Sequence, residues 1–280
     1  MTDPGRQVDL LEPLPAGVGE LARVCQGLLI HEFLTGLYGV ELSPEAQRVV
    51  QVRPIERRLE LLHEADARPL TVPRDPDRRQ SADCRHYSVL LVTFLRSRGI
   101  PARARCGFGW YFGSGHAEDH WVGEYWRADE GRWVLVDAQI DEVQRNLFHP
   151  DFDVLDVPRD RFQVAGDAWR ACRSGDADPG VHGLTAINEF GLWWIAANLI
   201  RDAASLSGME MLPWDVWGAM PGPDDTIPEP DLELFDHLAA LTADPQADFT
   251  ELRRLVADEP RLRVPPTVWN ANLRQRDPVP

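Results

Sequence analysis

Along this chain, stretches whose apolar residues recur every three or four positions give way to stretches where they recur every second one. In "GELARVCQGLLIHEFLTGLYG", Leu21, Val24, Leu28, Leu29 and Phe33 fall on one stripe that stops at Gly39, which predicts a first helix. "PIERRLELLHEADARPL" predicts a second, ending before the proline-punctuated loop "PLTVPRDPDRRQSAD". From Cys84 onward, Tyr87, Leu90, Leu91, Phe94 and Leu95 keep helical spacing, which predicts a helix with one buried face, closed by Gly99 and Pro101. The period then changes to two: "ARARCGFGW", "HWVGEYW" and the β-rich run "RWVLVDAQI" predict three strands. The polar loop "RADEGR" between the last two suits a hairpin.

Beyond Pro150 the pattern is irregular. "INEFGLWWIAANLIRDAASLSGMEMLPWDVWGAM" contains one strongly apolar helix and a Trp-rich closing segment; "MPGPDDTIPEPD" has the composition of a linker. Two modest tail helices, around "LELFDHLAALT" and "FTELRRLVA", precede a frayed end. The expected organisation is a helical portion over residues 1–73, a core over 74–165, a helical, Trp-rich extension over 166–220, and a linker with a helical tail over 221–280. The fold class is α+β, the Cys84 helix packed on a small antiparallel sheet.

Composition narrows the partners. A net charge of −16 repels a phosphate backbone or an anionic bilayer, so nucleic acid and membrane are excluded as expected partners. All 29 cationic residues are arginine, the codon usage of a GC-rich genome, and no lysine amine is offered to acyl chemistry. "MTDPGRQVDLLEPLPAG" lacks a basic start and an apolar core, and no segment has spanning length, so a cytoplasmic location is expected. Cys25, Cys84, Cys106 and Cys172 are scattered without a CxxC, which fits free thiols.

Cys84 opens its helix after an acid and before Arg85-His86. At a helix N-terminus the unpaired backbone N–H groups and the dipole stabilise a thiolate and can hold an oxyanion. Such a nucleophile needs a base. If residues 128–131 form the hairpin loop, Arg127 faces Arg132 and Trp126 faces Trp133. Continuing that register sets His120 opposite Gln139 and Val122 opposite Asp137. His120 and Asp137 then share a face as diagonal neighbours, about 7–8 Å apart at the backbone. A carboxylate beside an imidazole fixes its tautomer, the third role in a Cys–His–Asp arrangement.

Other residues have plainer readings. His116, in a Gly-rich loop, has no partner on the aspartate strand; His86 lies on another side of the helix as a packing or pocket-wall residue. "HAEDH" has i, i+4 histidines but lies in loop and strand, so no metal is expected, and no cofactor. Cys106 belongs to a core face with Ala102 and Ala104. Cys25 and Cys172 have no local activator. Gln80, just upstream of Cys84, reads as a solvated loop glutamine. Glu124 fits a bond to a neighbouring backbone or Arg. Asn198, Arg201 and Asp202 interrupt an apolar helix: as a tie between elements, or as substrate contacts in a pocket walled by Gly191–Met220 with Trp193, Trp194, Trp214 and Trp217.

"DCRHYSVLLVTFLRSRGIPARARCGFG", then His120 with Trp121 and Glu124, then "GRWVLVDAQ", resembles the core of the transglutaminase-like superfamily over roughly Arg74 to Asp141. "RSRGIPARAR" is the most specific match, whereas Trp121 follows His120 directly where the family commonly has one intervening residue. The resemblance implies a papain-like arrangement with Cys84 as nucleophile, His120 as base, Asp137 as orienting acid and Gln80 as an upstream oxyanion donor; Gln80 and Trp121, with Asn198 and Arg201 from the apolar helix outside the matched segment, are the candidate substrate contacts. It further implies acyl transfer from an amide, ester or thioester to an amine or water. The substrate is then a small molecule or peptide, with a carrier-bound thioester among the options. The rival reading is a catalytically silent scaffold of the same fold; all three positions being filled favours the enzyme.

Overall fold

Helix α1 (Val18–Leu28) buries Leu21, Ala22, Cys25 and Leu28, but the chain leaves the helix at Leu29 rather than continuing to Gly39. Residues Leu29–His31 form strand β1 instead, and Phe33, on the expected helical stripe, lies in a 3-10 turn and is 59% exposed. The cause is tertiary: a parallel pairing of β1 with Gln80–Ala82 draws Leu29 and Ile30 into the core. Helices α2 (Pro44–Arg48) and α3 (Ile55–Ala65) follow, the latter as its periodicity predicts. Strand β2 (Gln80–Ala82) leads directly into α4 (Cys84–Ser97).

In α4 every residue from Cys84 to Leu95 is buried, so the expected single buried face is a helix enclosed all round. Helices α1 and α3 pack against it, and Leu91 lies over Gly123, where an added Cβ would come within 3.2 Å of the Leu91 and Val136 side chains. The helix closes at Gly99, whose φ of 73° suits glycine. Strand β3 (Ala102–Gly109) follows, then β4 (Ala117–Arg127) and β5 (Arg132–Val136). β4 and β5 pair antiparallel from Arg127↔Arg132 and Trp126↔Trp133 to Gly123↔Val136, the register the hairpin loop predicts. Helix α5 (Glu142–Phe148) comes next, capped by Asp141.

The computed structural model describes residues 1–280, and the chain divides into two units, 1–104 with 122–157 and 105–121 with 158–280. Strands β3 and β4 contribute to both. In the second unit, β6 (Phe162–Val164) pairs antiparallel with Gly107–Gly109 and runs into α6 (Ala165–Ser174). Strand β7 (His182–Leu184) pairs in parallel with Ala117–Glu118 and antiparallel with β8 (Glu189–Phe190). The expected apolar helix is α7 (Leu192–Leu206), buried from Trp194 to Leu206. Strand β9 (Asp215–Val216) is followed by α8 (Glu229–Ala243) and α9 (Thr250–Asp258), the two tail helices. The end is not frayed: β10 (Thr267–Asn270) and β11 (Gln275–Pro278) form a hairpin on β9. Asn270 stabilises it, donating to Asp277 and accepting from the Leu273 N–H. No helix is long and apolar enough to cross a membrane.

A fully buried ion pair cross-links the second unit. Arg105 on β3 donates to both carboxylate oxygens of Asp202 on α7, at 3.0 and 2.8 Å, and to the Thr242 carbonyl on α8 at 2.7 Å. Asp202 also accepts the Cys106 N–H at 2.9 Å. Both charged side chains are fully buried. Removing one partner leaves the other charge buried and uncompensated. We therefore expect Asp202→Ala to cost about 3–5 kcal/mol in urea unfolding monitored by tryptophan fluorescence. A loss under about 1 kcal/mol would contradict the cross-link.

Candidate active site

In the first unit, the site is built on the junction of β2 and α4. Asp83 is the N-cap residue: its carboxylate accepts the His86 N–H at 3.2 Å, and the His86 ring lies against the Asp83 N–H at 3.1 Å. This reciprocal capping box makes Cys84 the first helical residue. Cys84 is 8% exposed, and its carbonyl accepts from the Ser88 hydroxyl at 3.0 Å. His86 is thus a capping group, with Nε2 at 3.3 Å from the Val52 carbonyl, rather than a pocket wall. Burial, with the Arg58 charge adding, pushes its pKa down to about 4, so the ring is neutral near pH 7. Burial raises Asp83, but His86, Arg85 and His31 outweigh it and hold the carboxyl below its ordinary value.

Asp137 lies just past β5, whose last paired residue is Val136. Its N–H turns to the Val154 carbonyl at 2.8 Å, so the ladder ends at Gly123↔Val136, four residues short of the end of the "RWVLVDAQI" run and before the expected pairing of Val122 with Asp137. Oδ1 accepts the Gln139 N–H at 2.9 Å, so one carboxylate oxygen is oriented by the chain's own turn. Gln139 in turn donates to Gln144, which donates to Tyr38. Gln80 lies in β2 with Nε2 at 3.4 Å from the Arg58 carbonyl and Oε1 buried without a partner. Glu124 pairs with Arg103 at 2.5 Å, and Arg103 stacks on Trp133 at 3.8 Å, the structural role its type suggests.

In the second unit, His120 is buried on β4 inside an aromatic collar. Phe112, Tyr111 and Phe162 meet its ring near edge-on at centroid distances of 4.8, 6.0 and 6.2 Å. The "GWYFGSG" run upstream is the sequence trace of this collar, which periodicity does not reveal. Trp121, next on β4, is buried, and its Nε1 has no hydrogen-bond partner. Asp119 is held by Trp194 Nε1 at 2.9 Å and Asn198 Nδ2 at 3.0 Å. Arg201 donates to Asn198 Oδ1 and to the Asp215 carbonyl, with Nε buried and unpartnered. Burial raises Asp119, an effect that Arg201, Asn198 and Trp194 oppose.

The remaining candidates are placed as follows. His116 lies beside the Phe190 ring at 4.7 Å. Cys172 Sγ is 3.9 Å from His182 Nδ1, but that nitrogen also faces the Asp178 carbonyl at 3.0 Å, which holds its proton away from the thiol. Burial, with Asp178 adding, raises the Cys172 thiol to about 11, and burial raises Cys25 further still. All four cysteines are free.

Residues 64–138 match the family model described as the transglutaminase-like superfamily. The crystal structure of a "putative cysteine protease" from Cytophaga hutchinsonii is 18% identical, over 48% of this chain and 42% of that one, with a TM-score of 0.23. The match spans less than half of that protein's length. No curated protein matches the sequence.

The capping box has a pH signature. His86 has a folded pKa depressed from 6.5 to about 4, so its contribution is complete above pH 6.5 and is lost as pH falls toward 4. The linkage amounts to about 3 kcal/mol. Urea unfolding at pH 7 and pH 4.5 should show this fall, and His86→Asn should flatten it. An unchanged slope in the variant would assign the acid sensitivity to other groups.

Proposed function

With residues 64–138 belonging to the transglutaminase-like superfamily, we propose that the protein is a cysteine-dependent acyl-transfer enzyme. The observation that carries this reading is Cys84 as the first residue of a buried, Asp83-capped helix inside the matched segment. His120 and Asp137 lie in the same segment, one on β4 and one just past β5. In the proposed cycle His120 takes the thiol proton and Asp137 keeps the imidazole in the required tautomer. The Cys84 thiolate attacks the carbonyl carbon of an amide, ester or thioester, and the oxyanion forms beside the N–H groups of the α4 first turn. His120 returns the proton to the leaving group as that bond breaks, which leaves a thioester on Cys84. Water or an amine then repeats the steps, losing a proton to His120 as the acyl–sulfur bond breaks and the thiol is restored.

Because the chain has no lysine, acylation at Cys84 is not masked by side-chain amines. With p-nitrophenyl acetate, intact mass and peptide mapping should find one acetyl group on Cys84 together with p-nitrophenolate release. Cys84→Ala should abolish both, and His120→Ala should slow release by about 10²–10⁴-fold with the melting temperature retained. Acetylation first at Cys25, Cys106 or Cys172, or undiminished release from Cys84→Ala, would instead favour a catalytically silent member of the superfamily.

A further inference from the structure

A cavity of about 210 Å³ opens in the first unit between α1, the start of α5 and the loop at Val154–Leu155. Gly19, Ala22, Arg23 and Gln26 line it from α1 at i, i+3, i+4 and i+7, which is one helix face. Ala22, Ile140 and Val154 make a buried apolar floor. A Cβ on Gly19 would come within 2.9 Å of Leu155, so the missing side chain keeps that wall open.

The remaining lining is charged and evenly balanced, with Arg23 and Arg145 against Asp141 and Glu142. Asp141 is anchored, accepting from the Tyr38 hydroxyl at 2.8 Å and the Gln144 N–H at 3.0 Å, and it pairs at 3.9 Å with Arg79, which lies outside the lining. Neither arginine forms an ion pair with either acid, although surface arginines elsewhere in the unit, such as Arg57, Arg68 and Arg132, do pair. The two cations and two carboxylates of the lining do not pair with one another, so the cavity wall presents separated charge and no net charge of its own. A simple anion or cation is attracted by one pair and repelled by the other. A dipolar ligand meets both favourably, and the floor adds room for an apolar group.

We propose that this cavity binds a free α-amino acid with a branched apolar side chain. Its carboxylate faces Arg23 and Arg145, its ammonium faces Glu142 and Asp141, and its side chain lies on Ala22, Ile140 and Val154. The bound molecule touches both segments next to Asp137, since Val154 accepts the Asp137 N–H and Ile140 accepts from Gln26. The proposal does not depend on the acyl-transfer reading.

Titration calorimetry of the full chain tests it, with L-leucine as the probe and 4-methylpentanoate and 3-methylbutylamine as single-charge controls. The expected result is saturable L-leucine binding at one site per chain, with each control at least about tenfold weaker. The double variant Arg23→Ala, Arg145→Ala should lose about tenfold or more with its unliganded melting temperature retained, because both side chains are exposed. Should that variant melt lower, Glu142→Gln carries the test by weakening L-leucine but not 4-methylpentanoate. Absence of saturable binding, equal binding of the carboxylate alone, or undiminished affinity in a well-folded variant would overturn the proposal.

Discussion

The first turn of α4 is wholly buried, and the organisation of the first unit follows from that constraint. A helix start without water must find protein partners for every polar group. Asp83 and His86 cap each other across the turn, and the His86 ring reaches Val52. Arg85 donates to the Arg53 carbonyl at 2.9 Å, and Arg58 donates to the Ser81 carbonyl at 2.8 Å. The segment before α3, α3 itself and β2 are therefore fastened to the point where Cys84 enters the helix. Burial draws the Arg58 pKa down to about 9, yet it stays protonated near neutral pH and its bonds persist. The position of Cys84 is thus set by buried hydrogen bonds and not by loop packing.

A lysine-free chain suits this style of construction. A guanidinium has five donors in a fixed plane and can serve two or three acceptors at once, which an ammonium on a flexible stem does less well. Arg105 serves Asp202 and Thr242, Arg58 serves Val49 and Ser81, and Arg74 serves the carbonyls of Asp66, Arg68, Pro69 and Val72. The "RSRGIPARAR" run uses its arginines similarly: Arg98 holds Leu11 and Glu12 carbonyls, and Arg103 holds Glu124. That run is thus a set of structural fasteners around the α4–β3 corner.

What was legible in the sequence follows the range of the forces involved. Local periodicity marked α3, α4 and α7, and the hairpin loop set the β4–β5 register, because adjacent residues determine these. The break of α1 at Leu29 was not legible, since its cause is a strand about fifty residues further on. Strands of two to four residues, such as β6 to β11, have too few positions to show a period. At the site, Cys84 and its helix start were readable, whereas the cap was not, because His86 fills the place where a capping box ordinarily has Glu or Gln. The collar of Tyr111, Phe112 and Phe162 was hidden for the same reason as β6: it joins two distant segments.

The polar residues of α7 illustrate how a sequence reading and a physical one diverge. In an apolar helix Asn198, Arg201 and Asp202 invite a ligand, yet in the second unit each has a protein partner. Asp202 takes Arg105 and the Cys106 N–H from β3, while Asn198, with Trp194, takes Asp119 from β4. Two adjacent strands are therefore hydrogen-bonded to one helix through side chains. Successive residues on a strand point to opposite faces, so the anchoring of Asp119 also directs its neighbour His120 away from α7. The aromatic collar receives it there. In this arrangement α7 acts on His120 through the strand, as a positioning element, and Asp202 is accounted for by Arg105 and the Cys106 N–H.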